Sequence, residues 1–199
     1  MTLSPLPQSF YSSRDALQLA PLLLGKIIYI PSLNIKARIT EVEAYMGHDD
    51  KACHAADGRR TPRTEVMFAK GGIYYVYLIY GMYHCLNVVS GEKDSGEAVL
   101  IRAVEILDGV DKASLLRHGK YFSSLTPSQK KNLSNGPGKL CKALGIDRHL
   151  NGTACHTGKI IICDAPQVES LLIKTSPRIG VGYAGDDALL PYRFYVEHQ

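Results

Sequence analysis

The chain has 199 residues, 45% of them hydrophobic and 21% charged, which is a composition typical of one ordinary globular domain. A net charge of +4 is compatible with a polyanionic partner but does not require one. Five cysteines without a Cys-x-x-Cys pair argue against a secreted disulfide framework and against a zinc ribbon. The sequence shows no signal peptide and no apolar run of about 18 residues, so we expect a soluble intracellular protein.

The predicted elements mix helices and strands without an internal repeat. A first helix is expected after Ser12 or Ser13, and Pro21 and Gly25 are expected to end its segment. Short β-rich runs predict strands over residues 26–30, 36–45, 73–80, 83–89, 98–106, 159–163 and 192–196. Helices are predicted over residues 108–118 and 135–145. No linker separates these elements, so one domain is predicted over residues 1–199.

Two acidic residues alternate along the second predicted strand. Side chains two apart in a strand point to the same face, so Glu41, Glu43 and Tyr45 are expected to lie together. A solvated strand face is the ordinary explanation of such a pattern. The alternative is a carboxylate for acid–base chemistry, and the spacing does not say which of the two acids would supply it.

Residues 46–72 form a long segment without clear periodicity, and connections of this length are usually functional or disordered. Its potential metal ligands, whose spacing matches no standard site, are His48, Asp49, Asp50 and His54. Its potential phosphate ligands are Arg59, Arg60 and Arg63, with hydroxyl donors from Thr61 and Thr64. We expect no metal here, and a solvated basic loop is the alternative to a phosphate contact.

Two tyrosine-rich runs, 73–80 and 83–89, are separated by Gly81-Met82, which predicts a β-hairpin. Tyr75 and Tyr77 should share one face of it, whereas Tyr80 stands next to the turn, where a ring can project beyond the sheet. A core hairpin with an exposed rim is the ordinary explanation. The alternative is nucleic-acid binding, in which Tyr77 stacks on a base and Tyr80 wedges into a duplex.

The stretch Gly136-Pro137-Gly138-Lys139 is only superficially similar to a phosphate-binding loop. Leu140 stands where a serine or threonine would bind magnesium, and the first glycine of the motif is missing. A helix opened by Asn135, with Pro137 in its first turn, could still hold one phosphate at its amino end beside Lys139. No G-x-S-x-G or G-x-G-x-x-G motif supports serine hydrolysis or hydride transfer, and no cofactor is predicted.

Eight segments occur in one order along most of the chain. They are E-V-E-A-Y (41–45), A-C-H (52–54), R-T-P-R (60–63), Y-V-Y-L-I-Y-G-M-Y (75–83), V-L-I-R-A (99–103), G-P-G-K-L-C (136–141), R-I-G-V-G (178–182) and P-Y-R-F-Y-V (191–196). In this order and spacing they resemble the alkyladenine (3-methyladenine) DNA glycosylase family. Together with the predicted elements, the resemblance implies an α+β fold: a single compact domain with a curved, mainly antiparallel sheet, flanking helices and a protruding β-hairpin.

The resemblance also implies a role for individual residues. Glu43, but not Glu41, matches the acid that activates water, and Arg102 matches the arginine beside that water and the adjacent phosphate. The residues that match the pocket for a flipped base are Tyr45, His54, Tyr77, Asn87, which disfavours the amino group of guanine, and Ile179, whose carbonyl helps hold the water. The residues expected to contact DNA are Tyr80, which fills the gap in the duplex, and Met82, Arg60, Thr61, Arg63 and Lys139. Residues 119–133 and 151–176 match the family poorly, so roles there stay open.

The function implied is that of a monofunctional DNA glycosylase. Such an enzyme flips a damaged purine of the 3-methyladenine, 7-methylguanine or hypoxanthine type out of duplex DNA and hydrolyses its bond to the sugar. We expect a monomer that acts on double-stranded DNA, in the cytoplasm or nucleoid of a bacterium or in a eukaryotic nucleus. Two alternatives stay open: a non-catalytic nucleic-acid-binding protein and a hydrolase of free nucleosides.

Overall fold

One antiparallel sheet organises the computed structural model, which describes residues 3–197. Its strands are β1 (Ile27–Ile30), β2 (Ile35–Tyr45), β3 (Tyr74–Ile79), β4 (Tyr83–Val89), β5 (Ala98–Asp108), β6 (Ile161–Cys163), β7 (Ile173–Ser176) and β8 (Arg193–Val196). They follow the order β3-β4-β5-β2-β1-β6, and β8 pairs with both β2 and β7. The pairings are antiparallel throughout the described residues, which confirms the predicted fold class. The domain boundaries at 1 and 199 stay a prediction.

The helices lie between and beside the strands. They are α1 (Gln8–Ser12), α2 (Ala16–Leu23), α3 (Val110–His118), α4 (Pro127–Lys131) and α5 (Pro137–Leu144). The expected cap of the first long helix was wrong, because Asp15 caps α2 by accepting a hydrogen bond from the backbone amide of Gln18. The expected start of α5 was also wrong, because Gly136 rather than Asn135 is its N-cap and no side chain caps it.

The centre of the sheet is the pair β2 and β5, each 11 residues long. The register between them shifts on both sides of Glu41, which marks a β-bulge. Bulges bend a strand and redirect its side chains, so this one sets where the acidic residues of β2 point. The main hydrophobic core packs α2 and α5 against this sheet through buried residues such as Leu19, Ile39, Ile101 and Leu140.

A second, smaller core holds the long segment 46–72 against the hairpin. Met67 and Phe68 of the segment pack with Tyr75 of β3, while Tyr74 on the opposite face belongs to the main core. Gly47 has a φ of 72°, and a Cβ there would lie 2.4 Å from a backbone oxygen of Ser95, so glycine is required. The segment without periodicity is therefore an ordered loop of short 3-10 turns, over Gly47–Asp49, Ala56–Gly58 and Glu65–Phe68.

All five cysteines are buried and carry free thiols. Burial raises the pKa of each of them, and for Cys53 the pKa rises to about 11. Within residues 3–197, no helix is long and apolar enough to cross a membrane. The same residues hold no group of three or more histidine, cysteine, aspartate or glutamate side chains that could bind a metal ion.

Candidate active site

Glu43 is a fully buried carboxylate in the middle of the sheet, with 0% of its surface exposed. Its Oε2 accepts hydrogen bonds from the Tyr45 hydroxyl (2.9 Å) and from Nη1 of Arg102 (3.3 Å), and its Oε1 accepts one from the Ile179 amide (2.7 Å). Burial raises the pKa of Glu43, and these three donors oppose that rise. The solvated-face explanation is therefore wrong for Glu43.

At Glu43, β2 is paired on both sides, and groups from other parts of the chain contact its side chain. Glu43 lies opposite Leu100 of β5 and opposite Arg193 of β8, so β2 has no open edge at this point. Buried carboxylates persist only where hydrogen-bond donors and positive charge compensate them. Arg102 on β5 and the amide of Ile179 supply that compensation from two different parts of the chain.

Glu41 shares the face with Glu43, as the spacing predicts, but it occupies a different environment. Nε of Arg102 donates to Oε1 of Glu41 (3.0 Å), and Nε of Arg193 donates to the same oxygen (2.6 Å). Arg102 is therefore held between two carboxylates, and only 12% of its side chain is exposed. Glu41 therefore holds the side chains of both Arg102 and Arg193, and Arg102 also contacts Glu43.

Aromatic side chains surround the space in front of this cluster. The ring of Tyr77 lies 4.7 Å from that of His54 and 5.3 Å from that of Tyr75, so period two along β3 brings these tyrosines together as expected. The Tyr75 hydroxyl and Nδ1 of His54 are 3.0 Å apart and hydrogen-bonded. Burial, with the nearby charge of Arg63, lowers the pKa of His54 to about 4, so the imidazole is neutral at neutral pH.

Two further predicted pocket residues lie on the walls of the same space. Asn87 is buried, and its amide donates to the carbonyl of Tyr75 (3.0 Å). The side chain of Ile179 is half exposed. Its amide donates to Glu43, and the expected role of its carbonyl in holding a water stays a prediction. The role of each residue towards a base stays a prediction.

A cavity of about 780 Å³ connects these elements, which is within the usual size range of a ligand site. Glu43 lies directly behind the part of its wall that Tyr45, Arg102 and Ile179 form. The other predicted site residues on the wall are His54, Tyr77, Tyr80, Asn87 and Lys139. The cavity continues past the hairpin to α5, and its wall there includes two cations that sequence reasoning missed, Arg117 in the last turn of α3 and Lys142 in the last turn of α5.

The tip of the hairpin is exposed and apolar. Tyr80 is 81% exposed and Met82 is 60% exposed. Tyr80 and Gly81 both have positive φ, 52° and 68°, and the Met82 amide donates to the carbonyl of Ile79 (3.2 Å), as in a type I′ turn. Tyr80 thus lies inside a three-residue loop rather than before a two-residue one. A bulky residue in this conformation is strained, and such strain is concentrated at functional sites.

The predicted phosphate ligands do not form one cluster. Arg60 pairs with Glu65 and Asp94 and stacks 4.1 Å over the ring of Phe68, and Thr61 exchanges hydrogen bonds with Thr64 in a local turn. These two residues lie on the loop away from the cavity wall. Arg63, in contrast, lies 4.8 Å over the ring of Tyr77.

Lys139 approaches the cavity from the opposite side, on α5. Its Nζ donates to the side chains of Asn132 (2.8 Å) and Asn135 (3.0 Å). A Cβ at Gly138 would lie 2.9 Å from Tyr83, so glycine lets α5 approach the hairpin next to its tip loop. Arg63 and Lys139 therefore flank the cavity from two sides.

Sequence reasoning also missed a buried ion pair beside the site. Arg178 precedes Ile179 and binds Asp50 with both terminal nitrogens. From the sequence, Asp50 is predicted only as a possible metal ligand. The signal that could have found the pair is the position of Arg178 in the R-I-G-V-G segment, immediately before a predicted site residue.

A buried carboxylate beside a guanidinium lies behind the wall of a tyrosine-lined cavity, and carboxylates are the groups that hydrolyse glycosidic bonds in most glycosidases. The chain matches the family model described as methylpurine-DNA glycosylase over residues 9–199. This match covers nearly all of the chain, so the chain belongs to the methylpurine-DNA glycosylase family.

Curated relatives agree over nearly the full length. A Clostridium botulinum protein (strain Alaska E43 / Type E3) is 47% identical over 195 residues, which are 96% of this chain and 95% of the relative. A Bacillus cereus protein (strain ZK / E33L) is 46% identical over 197 residues, and a Desulfitobacterium hafniense protein (strain Y51) is 45% identical over 194, both with the same coverage. All three are named, provisionally, 3-methyladenine DNA glycosylase. The chain is accordingly a DNA-repair hydrolase of the 3-methyladenine DNA glycosylase type, acting on N-glycosyl bonds of DNA.

Proposed function

We propose that this protein flips an alkylated or deaminated purine out of duplex DNA and hydrolyses its glycosidic bond with a water molecule activated by Glu43. The observation that carries the proposal is the buried Glu43 carboxylate behind an aromatic cavity. A carboxylate has about four acceptor positions. Tyr45, Arg102 and Ile179 occupy three of them, which leaves one for the proton of a water.

The reaction needs few groups from the protein. The bond between the sugar carbon C1′ and the purine nitrogen breaks with its electron pair moving to the base, and C1′ acquires oxocarbenium character. The negative charge of Glu43 stabilises that cation. As the water oxygen bonds to C1′, the Glu43 carboxylate accepts a proton from the same water. General-base catalysis of this kind is typically worth about 10²–10⁴-fold. Arg102 donates to Oε2 of Glu43, and its positive charge lowers the pKa of that carboxyl, which opposes the rise caused by burial.

Stacking on the aromatic rings of the cavity would stabilise an extruded base. Unstacking costs a few kcal/mol and costs least at damaged sites, whereas each base–aromatic stack returns about 1–3 kcal/mol. Tyr45 and Tyr77 are the stacking partners, and neutral His54 adds a hydrogen bond. Asn87 stands on the wall where it would disfavour the exocyclic amino group of guanine. These preferences would favour 3-methyladenine and hypoxanthine, which lack that amino group. 7-Methylguanine carries it, so its excision would depend on the positive charge of its methylated ring, which makes it a good leaving group.

The product is an abasic site in an unbroken strand, because water rather than an amine attacks. Tyr80 at the exposed tip fills the gap left in the duplex, with Met82 beside it. Arg63 and Lys139 contact phosphates near the cavity, and Arg60 and Thr61 contact them further along the loop. We infer that the protein acts as a monomer on bacterial DNA in the cytoplasm, in line with the bacterial sources of the relatives.

Release of free base from a methylated duplex tests the proposal. Wild-type protein should release methylpurine and leave a strand that breaks only after alkaline heating. A non-catalytic DNA-binding protein would release nothing. A nucleoside hydrolase would act on free methylated nucleosides, and its rate would change little with salt concentration. Binding to a DNA duplex, in contrast, weakens steeply as the salt concentration rises. Either of those two results would refute the proposal.

A further inference from the structure

The Arg178 guanidinium is wholly buried next to the candidate active site, with 0% of its side chain exposed. Nη1 donates to the carbonyl of Ala44 (3.0 Å) and to Oδ2 of Asp50. Nη2 donates to Oδ1 of Asp50 (2.8 Å) and to the carbonyl of Asp187 (3.2 Å). The pair is therefore bidentate, a geometry that fixes orientation as well as distance.

The same guanidinium contacts two aromatic rings. It lies 4.8 Å from the centroid of Tyr45 and 5.2 Å from that of Tyr192. Asp50 is fixed in turn, because it accepts hydrogen bonds from the amides of Met46 and Ala52, both at 3.0 Å. Arg178 thus joins the end of β2, the loop 46–72 and the segment that carries Ile179.

Stability alone does not account for this ion pair. Taking two charges out of water costs several kcal/mol per ion, and apolar residues of similar volume often stabilise a fold as well or better. Asp50 is 2% exposed, so the full cost of burial applies to both partners. A pair that adds little net stability but fixes three segments in one geometry is suited to positioning.

We propose that Arg178, held by Asp50, is a positioning residue that fixes the Ile179 amide on Glu43 and the Tyr45 ring on the cavity wall. The inference rests on the proposed function of Glu43 as a general base. Ile179 follows Arg178 directly in the chain, so the orientation of its amide depends on where the guanidinium is anchored. Tyr45 is fixed twice, by Arg178 against its ring and by Glu43 at its hydroxyl.

This role has a consequence for the ionisation of Glu43. The hydrogen bond from the Ile179 amide lowers the pKa of Glu43, so loss of that bond raises it. The other charged or titratable groups around this carboxylate are Arg102 on β5, Glu41 and Tyr45 on β2, Cys85 on β4, Arg193 on β8 and Arg178 itself. A variant that keeps the positive charge at position 178 but loses the bidentate contact with Asp50 isolates the effect of the Ile179 amide on the pKa of Glu43.

Arg178→Lys is that variant. Single-turnover excision from a methylated duplex should fall by up to about 10²-fold at neutral pH, as misplacement near the chemistry can cause. The acid limb of the pH–rate profile should move to higher pH. In wild-type protein the ¹⁵N-amide signal of Ile179 should shift with pH, with the same midpoint as the acid limb. In Arg178→Lys this pH-dependent shift should be lost. An unmoved limb with an unchanged Ile179 signal would overturn the proposal.

Two further variants separate positioning from folding. Lys26, whose side chain is buried, contacts the exposed Asp164 and the carbonyl of Ala165, away from the cavity wall. Lys26→Gln should lower the melting temperature and leave the acid limb in place. Asp50→Asn keeps one side-chain oxygen that can accept a hydrogen bond from Arg178. It should reduce the pH-dependent shift of the Ile179 amide signal without unfolding the chain. If Asp50→Asn retains the wild-type shift, the proposal fails, whereas wild-type protein that excises no base refutes the proposed function instead.

Discussion

The buried acid and the hairpin tip are built in opposite ways. Glu43 has no exposed surface and accepts three hydrogen bonds, whereas Tyr80 is 81% exposed and stands on a backbone with positive φ. Groups that act on a reacting bond work best when they are oriented beforehand and water is excluded. A side chain that enters a partner must stay outside the core until the partner arrives. Under the proposed function, the contrast separates the part that performs chemistry from the part that enters the DNA duplex.

The two regions also differ in what holds them. The acid depends on residues from β2, β5 and the segment after β7, so changes far away in the chain can reach it. The tip depends on one turn between β3 and β4. Substitutions at the tip should therefore alter binding and leave the rest of the molecule intact, while those around the acid should alter rate and ionisation.

The largest expected effect is at the acid itself. Glu43→Gln keeps the shape of the side chain but removes the base, so single-turnover excision should fall by about 10²–10⁴-fold. Affinity for lesion-containing duplex, measured by fluorescence anisotropy, should change little. Excision at near the wild-type rate would remove Glu43 from the mechanism.

At the tip, the effect should appear in binding. Tyr80→Ser should weaken binding to a lesion duplex by about 1–3 kcal/mol, or roughly five- to 150-fold in Kd, because one stacking ring is lost. Binding to a single strand should weaken less. Tyr121, 61% exposed and away from the cavity, offers the matched control Tyr121→Ser, which should change neither. Equal losses on both substrates would contradict the wedge.

A moderate effect is expected in the pH dependence. The general base acts when deprotonated, so the rate rises with pH through the pKa of Glu43. Burial raises that pKa, and the limb should lie above about 4.3, the ordinary value for glutamate. Glu41 raises the pKa of Glu43 further by charge repulsion, so Glu41→Gln should move the limb to lower pH. A limb that moves upward in this variant would show that Glu41 acts mainly by anchoring Arg102.

The smallest effect concerns the strained turn. Tyr80→Gly relieves about 1–3 kcal/mol of backbone strain and loses about 0.5–1 kcal/mol through the greater freedom of glycine when unfolded. The free energy of unfolding, from urea titration, should stay level or rise by up to about 2 kcal/mol. Met67→Ala in the second core should lower it by about 2–5 kcal/mol. A clear loss of stability in Tyr80→Gly would mean that the ring contributes to the fold.

Much of the sheet could be predicted from the sequence, because strand periodicity is a local property. The alternation along β3 predicts correctly that Tyr75 and Tyr77 share a face. The choice between Glu41 and Glu43 could not be made in this way, since both point the same way. Both also pair with β8, and their difference lies in the donors that reach them: the Ile179 amide, 136 residues later in the chain, for Glu43, and the Arg193 side chain, 152 residues later, for Glu41.

The ion pair and the turn were beyond sequence reasoning for a related reason. Arg178 and Asp50 are 128 residues apart, and neither belongs to a periodic element. The conformation of Tyr80 depends on a turn type that usually places Asn or Gly at this position. In both places tertiary structure overrides the local preference of the chain.

The five buried thiols have a consequence for the conditions in which this enzyme works. The thiolate is the reactive form of cysteine, and burial that raises its pKa leaves almost none of it at neutral pH. Electrophiles that methylate purines also methylate accessible thiolates. If alkylated purines are its substrates, as proposed above, burial of all five cysteines would protect this enzyme from the reagents that create those substrates.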